Sequence, residues 1–390
     1  MTSNTENAAT GNTEIRPFRI AVSDADLNDL RERLTKARWP QHPSGEDWSR
    51  GVPTTYLRGL AEYWATGFDW RAQEAAINEI PQFITTIDGQ DIHFLHVRSA
   101  NPDAVPLILT HGWPSSFVEF LDVIEPLGAD FHLVIPTLPG YGFSAPVADE
   151  GWGNLFRVAM AWAELMNRLG YEQYAVHGTD AGSGVSQILP MVAPGKVLGL
   201  HLTGTAPSLP FGPPIDTTGL DEADRHRAER FNQYQQDGIG YLHIQSTRPQ
   251  TLGYGLNDSP IAQLAWIAEK FREWTDPASK LPEDAVGRDR LLTAVSIYWF
   301  TGAGASAAHA LYEGMQVYRQ MAAASQGQAS PPPAARTAYA VFAGDDTIRS
   351  LVDPAGYAER WTEYDRGGHF PAMEVPDLLS ADIKAFFLPG

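Results

Sequence analysis

Gly178-Thr179-Asp180-Ala181-Gly182 follows the apolar run QYAVHG and leads into SGVSQILPMV. Small residues around a central side chain, between a strand and a helix, form a sharp turn that lifts that side chain clear of a sheet. Here the lifted group is a carboxylate. A carboxylate can attack carbon and form an ester, which a second step must then hydrolyse. Two other readings stand beside this one. Asp180 could be a helix N-cap, a position aspartate favours. Ser183 is a rival nucleophile, but it lies inside the expected helix and lacks the glycine pattern.

Three further stretches supply what such a nucleophile needs. In THGWPSS (110–116), His111-Gly112 permits a sharp turn, so the Trp113 amide could join the Ala181 amide in holding an oxyanion. An ordinary strand-to-helix turn with Pro114 at an early helical position reads the same residues differently. In DRGGHFPAMEVP (365–376), two glycines precede His369 at the end of a strand, where a histidine can serve as a base near neutral pH. In VFAGDD (341–346) a strand ends in two acids. Either Asp345 or Asp346 could orient His369 as the third member of a triad does, and the other is then a solvated turn residue. The order acid, acid, histidine parallels the order Ser…Asp/Glu…His of α/β-hydrolases.

These side chains need a sheet to converge on. The short apolar runs PLILTHG, FHLVIP, QYAVHG, VLGLHLTG and AYAVFAG alternate with helical patterns such as RVAMAWAELMNRLG. Continuous apolar strands alternating with helices predict a mostly parallel sheet buried on both faces, an α/β class. Upstream, FRIAVSDADLNDLRERLTKARWP reads as a short strand and a helix capped by Ser23 or Asp24. A second helix is expected near 53–66, and FITTIDGQDIHFLHV is a hairpin turning at Asp88-Gly89. The alternation stops at 207–320, where helical runs at 220–236, 260–274 and 288–300 suggest an inserted lid. The expected division is therefore a tail over 1–14, an N-terminal domain over 15–95, an α/β core over 96–206 and 321–390, and the lid over 207–320, with AAASQGQASPPPAAR (322–336) as low-complexity loop.

Composition narrows the partners. The 390 residues include no cysteine and carry a formal net charge of −19. Disulfides, thiolate metal sites and a cysteine nucleophile are excluded. A polyanion such as nucleic acid is not an expected partner, whereas a neutral or cationic small molecule is. The polar first residues show no secretion signal, no apolar run is long enough for a membrane helix, and a cytoplasmic location is expected. The histidines lack metal-ligand spacing, and PGYGFS lacks the fuller dinucleotide fingerprint, so no cofactor or metal is expected.

Taken in chain order, these motifs resemble the epoxide hydrolases of the α/β-hydrolase fold, in the microsomal-type branch with its own N-terminal domain. The resemblance runs from about Ile15 to the end: PFRIAVSDADLNDLRERLTKARWP, HGWP, GYGFS, GYLHIQSTRPQTLGYGLNDSPIAQLAWIAEKF and DRGGHFPAMEVPDLL are similar to the branch's motifs. It implies Asp180 as nucleophile and His369 as the base that activates water. It also implies Tyr241 and Tyr312 as lid phenols that donate to the oxirane oxygen. The family's orienting acid follows a Phe-Pro-x-Glu pattern, and Phe342-Ala343-Gly344-Asp345 falls in that register, which favours Asp345 over Asp346. The implied substrate is a small hydrophobic epoxide that reacts with water to give a vicinal diol, without a cofactor. Detoxification or antibiotic biosynthesis is the implied setting, and a homodimer is left open. The sequence departs from the family at the elbow, where Gly-Gly-Asp-Trp-Gly is common and Ala181 replaces the tryptophan. It departs again in carrying Asp345 instead of glutamate, and the membrane anchor of animal microsomal members is not expected here. A haloalkane dehalogenase and a catalytically silent ligand-binding relative are the competing readings.

Overall fold

The apolar runs assemble into one nine-stranded sheet. In the computed structural model, which describes residues 13–41, 47–208, 210–324 and 333–388, the strands are β1 (Arg16–Pro17), β2 (Gln82–Ile87), β3 (Gln90–Val97), β4 (Val105–Thr110), β5 (Phe131–Pro136), β6 (Tyr174–Thr179), β7 (Val197–Thr203), β8 (Thr337–Val341) and β9 (Arg360–Glu363). Their spatial order is β1-β2-β3-β5-β4-β6-β7-β8-β9. From β5 to β9 all neighbours are parallel, while β1, β2 and β3 add antiparallel strands at one edge. All residues of β5 and β6 are buried, as strands covered on both faces require.

The hairpin turns at Asp88 and Gly89, with φ of 49° and 76°, a left-handed pair that suits a two-residue connection. Its second strand pairs with β5, registering Phe94 with Pro136 and Val97 with Leu133. The N-terminal region is thus not a separate layer. Its strands extend the central sheet, and its helices bridge to the lid. Helix Thr54–Thr66 makes that bridge through Trp64 Nε1, which donates to Ser296 Oγ at 2.9 Å, and Tyr56, whose hydroxyl donates to Glu283 at 2.6 Å. Ser23 caps helix Asp24–Thr35 by accepting from the Asp26 amide. A third helix, Trp70–Asn78, escaped the sequence reading; Asp69 caps it.

The segment expected to form a lid is a series of helices, more broken than its sequence suggests. It comprises Glu222–Gln233, a π-turn at Tyr234–Gly238, then Gly240–Gln245, Pro249–Asp258, Pro260–Trp274, Pro282–Val286, Arg288–Thr301 and Ala303–Ala324. Prolines at 249, 260 and 282 each open a new helix, and Gly302, at φ 64°, ends another in left-handed conformation. The last helix runs to Ala324, past the expected start of the low-complexity loop at 322; residues 325–332 of that loop lie outside the described residues. The expected tail falls outside them too, for residues 1–12. Among the described residues, no single helix is long and apolar enough to cross a membrane.

Candidate active site

Asp180 sits between the last residue of β6 and the first of helix Ala181–Val192, at φ 51° and ψ −124°. A non-glycine residue there stores backbone strain on the order of 1–3 kcal/mol. The surrounding glycines answer to steric demand. A Cβ on Gly182 would lie 2.0 Å from the Thr110 carbonyl oxygen, and one on Gly178 would lie 2.3 Å from the Gly182 oxygen. Asp180 heads the helix without capping it. Its Oδ1 accepts instead from the Trp113 amide at 3.0 Å. That bond, reaching from the β4 loop, replaces the N-cap reading.

Gly112 leaves room for the carboxylate, since a Cβ there would stand 2.2 Å from Asp180 Oδ1. His111 anchors the same loop. Its Nε2 accepts from the Leu138 amide at 3.1 Å, which leaves the ring proton on Nδ1, 3.0 Å from the Gly112 carbonyl. Burial lowers its pKa to about 4, so it is a neutral structural clamp. Ala181 lines the cavity, and its amide, the first of its helix, has no intrahelical carbonyl to donate to.

His369 follows β9 and brings Nε2 to 3.6 Å from Asp180 Oδ2. Both glycines before it have a use: Gly367 takes a φ of 84°, and a Cβ on Gly368 would lie 2.4 Å from the Trp274 carbonyl oxygen. The close approach lets the His369 amide donate to that carbonyl at 2.7 Å. Glu374 ties the loop to the lid as well, accepting from the Phe370 amide at 3.0 Å and the Asp276 amide at 2.7 Å.

The two acids after β8 have different surroundings. Asp345 is buried; its Oδ2 accepts from the Gly204 amide at 3.0 Å, and its Oδ1 from the amide and hydroxyl of Thr347 at 2.9 and 2.7 Å. Gly204 is also the near neighbour of the other two groups, since a Cβ on it would lie 3.3 Å from the Asp180 nitrogen and 3.6 Å from His369 Cε1. Asp346 also borders the cavity, but its carboxylate pairs with Arg230 at 2.8 Å. Asp345 therefore shares the Gly204 wall with Asp180 and His369, although the ion pair of the His369 ring is with Asp180.

Of the two lid tyrosines implied by the resemblance, the structure brings one to the site. Tyr241 lines the cavity, stacks on Trp113 with ring centroids 5.0 Å apart, and holds its hydroxyl 3.0 Å from that of Tyr234. Tyr312 is a correction. In helix Ala303–Ala324 the cavity is lined by Ala310, Leu311, Gly314, Met315 and Tyr318, one face at helical spacing. Tyr312 falls off that face and is 36% exposed. The phenol paired with Tyr241 is Tyr234, which the sequence reading missed. The seven-residue spacing of the two, about two helical turns, is the signal that could have found it. Burial raises Tyr234 to about 12 and lifts Tyr241 well above the ordinary phenol value, so both are O–H donors at neutral pH.

The cavity over Asp180 encloses about 580 Å³, with Trp113, Leu138, Trp152, Phe231, Leu242 and Trp274 among its apolar walls. A wider groove of about 890 Å³ lies between helix Asp24–Thr35 and the start of Pro260–Trp274 and holds none of the catalytic candidates. Among the described residues, no group of three or more histidine or acidic side chains could hold a metal ion.

A strained acid elbow under a helical lid, faced by a histidine from the last strand loop, defines an α/β-hydrolase-fold enzyme. Residues 15–120 match the family model described as epoxide hydrolase N terminus, and residues 105–237 match the alpha/beta hydrolase fold. Epoxide hydrolase 1 of Sus scrofa is 33% identical, over 97% of this chain and 90% of its own length. A provisionally named epoxide hydrolase of Stigmatella aurantiaca is 41% identical, over 96% and 84%. Two solved structures superimpose along nearly the whole chain. The Aspergillus niger epoxide hydrolase has a TM-score of 0.83 at 32% identity, covering 97% of both chains. The juvenile hormone epoxide hydrolase of Bombyx mori has a TM-score of 0.84 at 28% identity, covering 97% of this chain and 95% of its own. The chain belongs to the epoxide hydrolases.

Proposed function

We propose that the enzyme opens a hydrophobic epoxide through an ester on Asp180. The observation that carries this reading is the position of the Asp180 carboxylate, 3.0 Å from the Trp113 amide, 3.6 Å from His369 Nε2, and on the same cavity as Tyr234 and Tyr241. One Asp180 oxygen attacks a ring carbon, the ring C–O bond breaks, and Tyr241, with Tyr234 beside it, gives a proton to the departing oxygen.

His369 then takes a proton from water, and the hydroxide attacks the ester carbonyl. The Trp113 and Ala181 amides hold the oxyanion. Collapse expels the diol oxygen, which receives the proton from His369. The second proton of the water returns to the phenol, and the free carboxylate is restored. Asp345 orients His369 in this scheme, through the wall they share at Gly204. The overall change is epoxide plus water to vicinal diol.

The apolar cavity suits a hydrophobic substrate. Detoxification or work on an antibiotic-pathway intermediate, in the cytoplasm, is the setting we propose. The test is repeated turnover of an aryl epoxide in ¹⁸O water. Label in the Asp180 carboxylate supports the ester route; label only in the diol, with Asp180 unlabelled after many turnovers, refutes it.

A further inference from the structure

Lys270 is 2% exposed. Burying an ammonium is costly unless it is paired, and here two carboxylates meet it. Its Nζ lies 2.9 Å from Glu269 and 2.6 Å from Glu273. These pairings do not account for its direction. The ammonium also lies over the Tyr241 ring, 4.8 Å from the centroid, and 5.8 Å from that of Trp274. Tyr241 in turn stacks on Trp113, whose amide holds Asp180. A buried cation is thus set over the ring whose hydroxyl faces the nucleophile's cavity.

We propose that Lys270 tunes ring opening as a positioning residue: held by Glu269 and Glu273 over the Tyr241 ring, its ammonium stabilises the negative charge Tyr241 acquires on giving its proton to the oxirane oxygen. The inference rests on the proposed role of Tyr241 as donor. The phenol becomes a phenolate as the ring C–O bond breaks and the ester bond forms, and water returns the proton during ester hydrolysis. Charge on a phenolate spreads into its ring, so a cation over the face lowers the energy of that state more than that of the neutral phenol. The other titratable groups around Tyr241 oppose it or are neutral. Asp180 from the elbow and Glu273 from the lid helix disfavour the phenolate, as burial does, while the Tyr234 hydroxyl, 3.0 Å away, is a neutral group that can turn to donate to it. His369 stands one ring further away, against Trp274 at 5.1 Å.

The test resolves the two chemical steps in Lys270→Met, Lys270→Arg and Lys270→Gln, using an aryl epoxide and rapid-quench intact mass. Wild type is measured first, and failure to form the Asp180 ester there would count against the functional reading rather than against Lys270. In Lys270→Met, ester formation should slow roughly tenfold, the scale of a desolvated cation–π contact, with ester hydrolysis changed less than twofold. Lys270→Arg should recover most of the rate. In a Tyr241→Phe background, Lys270→Met should add no further loss. If Lys270→Met does not fold, Lys270→Gln decides: its amide can still donate to the two carboxylates but carries no charge, and ester formation should slow by a similar factor. The proposal is overturned by an unchanged rate of ester formation in Lys270→Met or Lys270→Gln, by equal loss in both steps, or by a further loss in the Tyr241→Phe background.

Discussion

The Trp113 amide donates to Asp180 Oδ1 at 3.0 Å, joining two neighbouring parallel strands through the loop of one and the elbow of the other. The bond takes the carboxylate away from the helix it would otherwise cap. Asp180 is held in a strained backbone and pointed at the cavity.

That strain has a measurable cost. Glycine tolerates φ 51° and ψ −124° better than aspartate does. Asp180→Gly should therefore abolish turnover yet raise stability by about 1 kcal/mol, the relieved strain less the added unfolded-chain entropy. Thermal and denaturant melts check this, and a less stable variant would contradict it.

In the proposed mechanism His369 acts only after the ester exists. In His369→Gln, ester formation should persist and hydrolysis should slow by at least about 100-fold, the range of general-base catalysis. Intact mass spectrometry should then show protein plus one substrate. Normal turnover by this variant would end the mechanism.

Three tyrosine variants separate the lid assignments. Tyr241→Phe and Tyr234→Phe should each slow ester formation by roughly 10- to 100-fold, since each removes a hydroxyl of the 3.0 Å pair. Tyr312→Phe should remain near wild type, because Tyr312 lies on the exposed face of its helix. A large loss from Tyr312→Phe alone would return the second donor to the position the resemblance implied.

Gly182→Ala probes the packing beneath the elbow. Its Cβ would lie 2.0 Å from the backbone oxygen of Thr110, where no flexible side chain can yield. A loss of about 3 kcal/mol or more is expected from such overpacking. Chemical denaturation measures it.

Acid should destabilise the fold through buried histidines. Burial holds His93 and His111 to about 3 and about 4, against 6.5 for an ordinary histidine. Between pH 6.5 and about 4 the unfolded chain binds protons that the native chain does not, so this stability is complete above pH 6.5 and is lost as pH falls through that window. The two together contribute on the order of several kcal/mol. Glu374, raised to about 7 chiefly by burial, works oppositely: it favours the native state below pH 4.5, and that gain is lost as pH rises to 7. Comparing the pH dependence of melting in wild type and His93→Gln isolates one histidine, and the variant should show the shallower acid slope.

The local sequence was enough for features that depend on near neighbours. The alternating apolar runs determined the parallel sheet, Asp88-Gly89 the hairpin, and the glycines around Asp180 and before His369 the places where backbones must approach closely. That Asp180 and His369 stand on sharp turns was legible for the same reason, because those turns demand small residues beside them. Tertiary structure decided the rest. Which acid lies beside His369 depended on Gly204 and Thr347 donating to Asp345 while Arg230, from the lid, paired with Asp346. Tyr312 faces outward because the helix rotates it off the cavity, and a match of residue types does not register that rotation. Lys270 reads as one charge on an amphipathic helix, and only the fold brings the Tyr241 ring beneath it. Periodicity and turn chemistry act over a few residues, whereas burial and the pairing of charges depend on segments far apart in the chain.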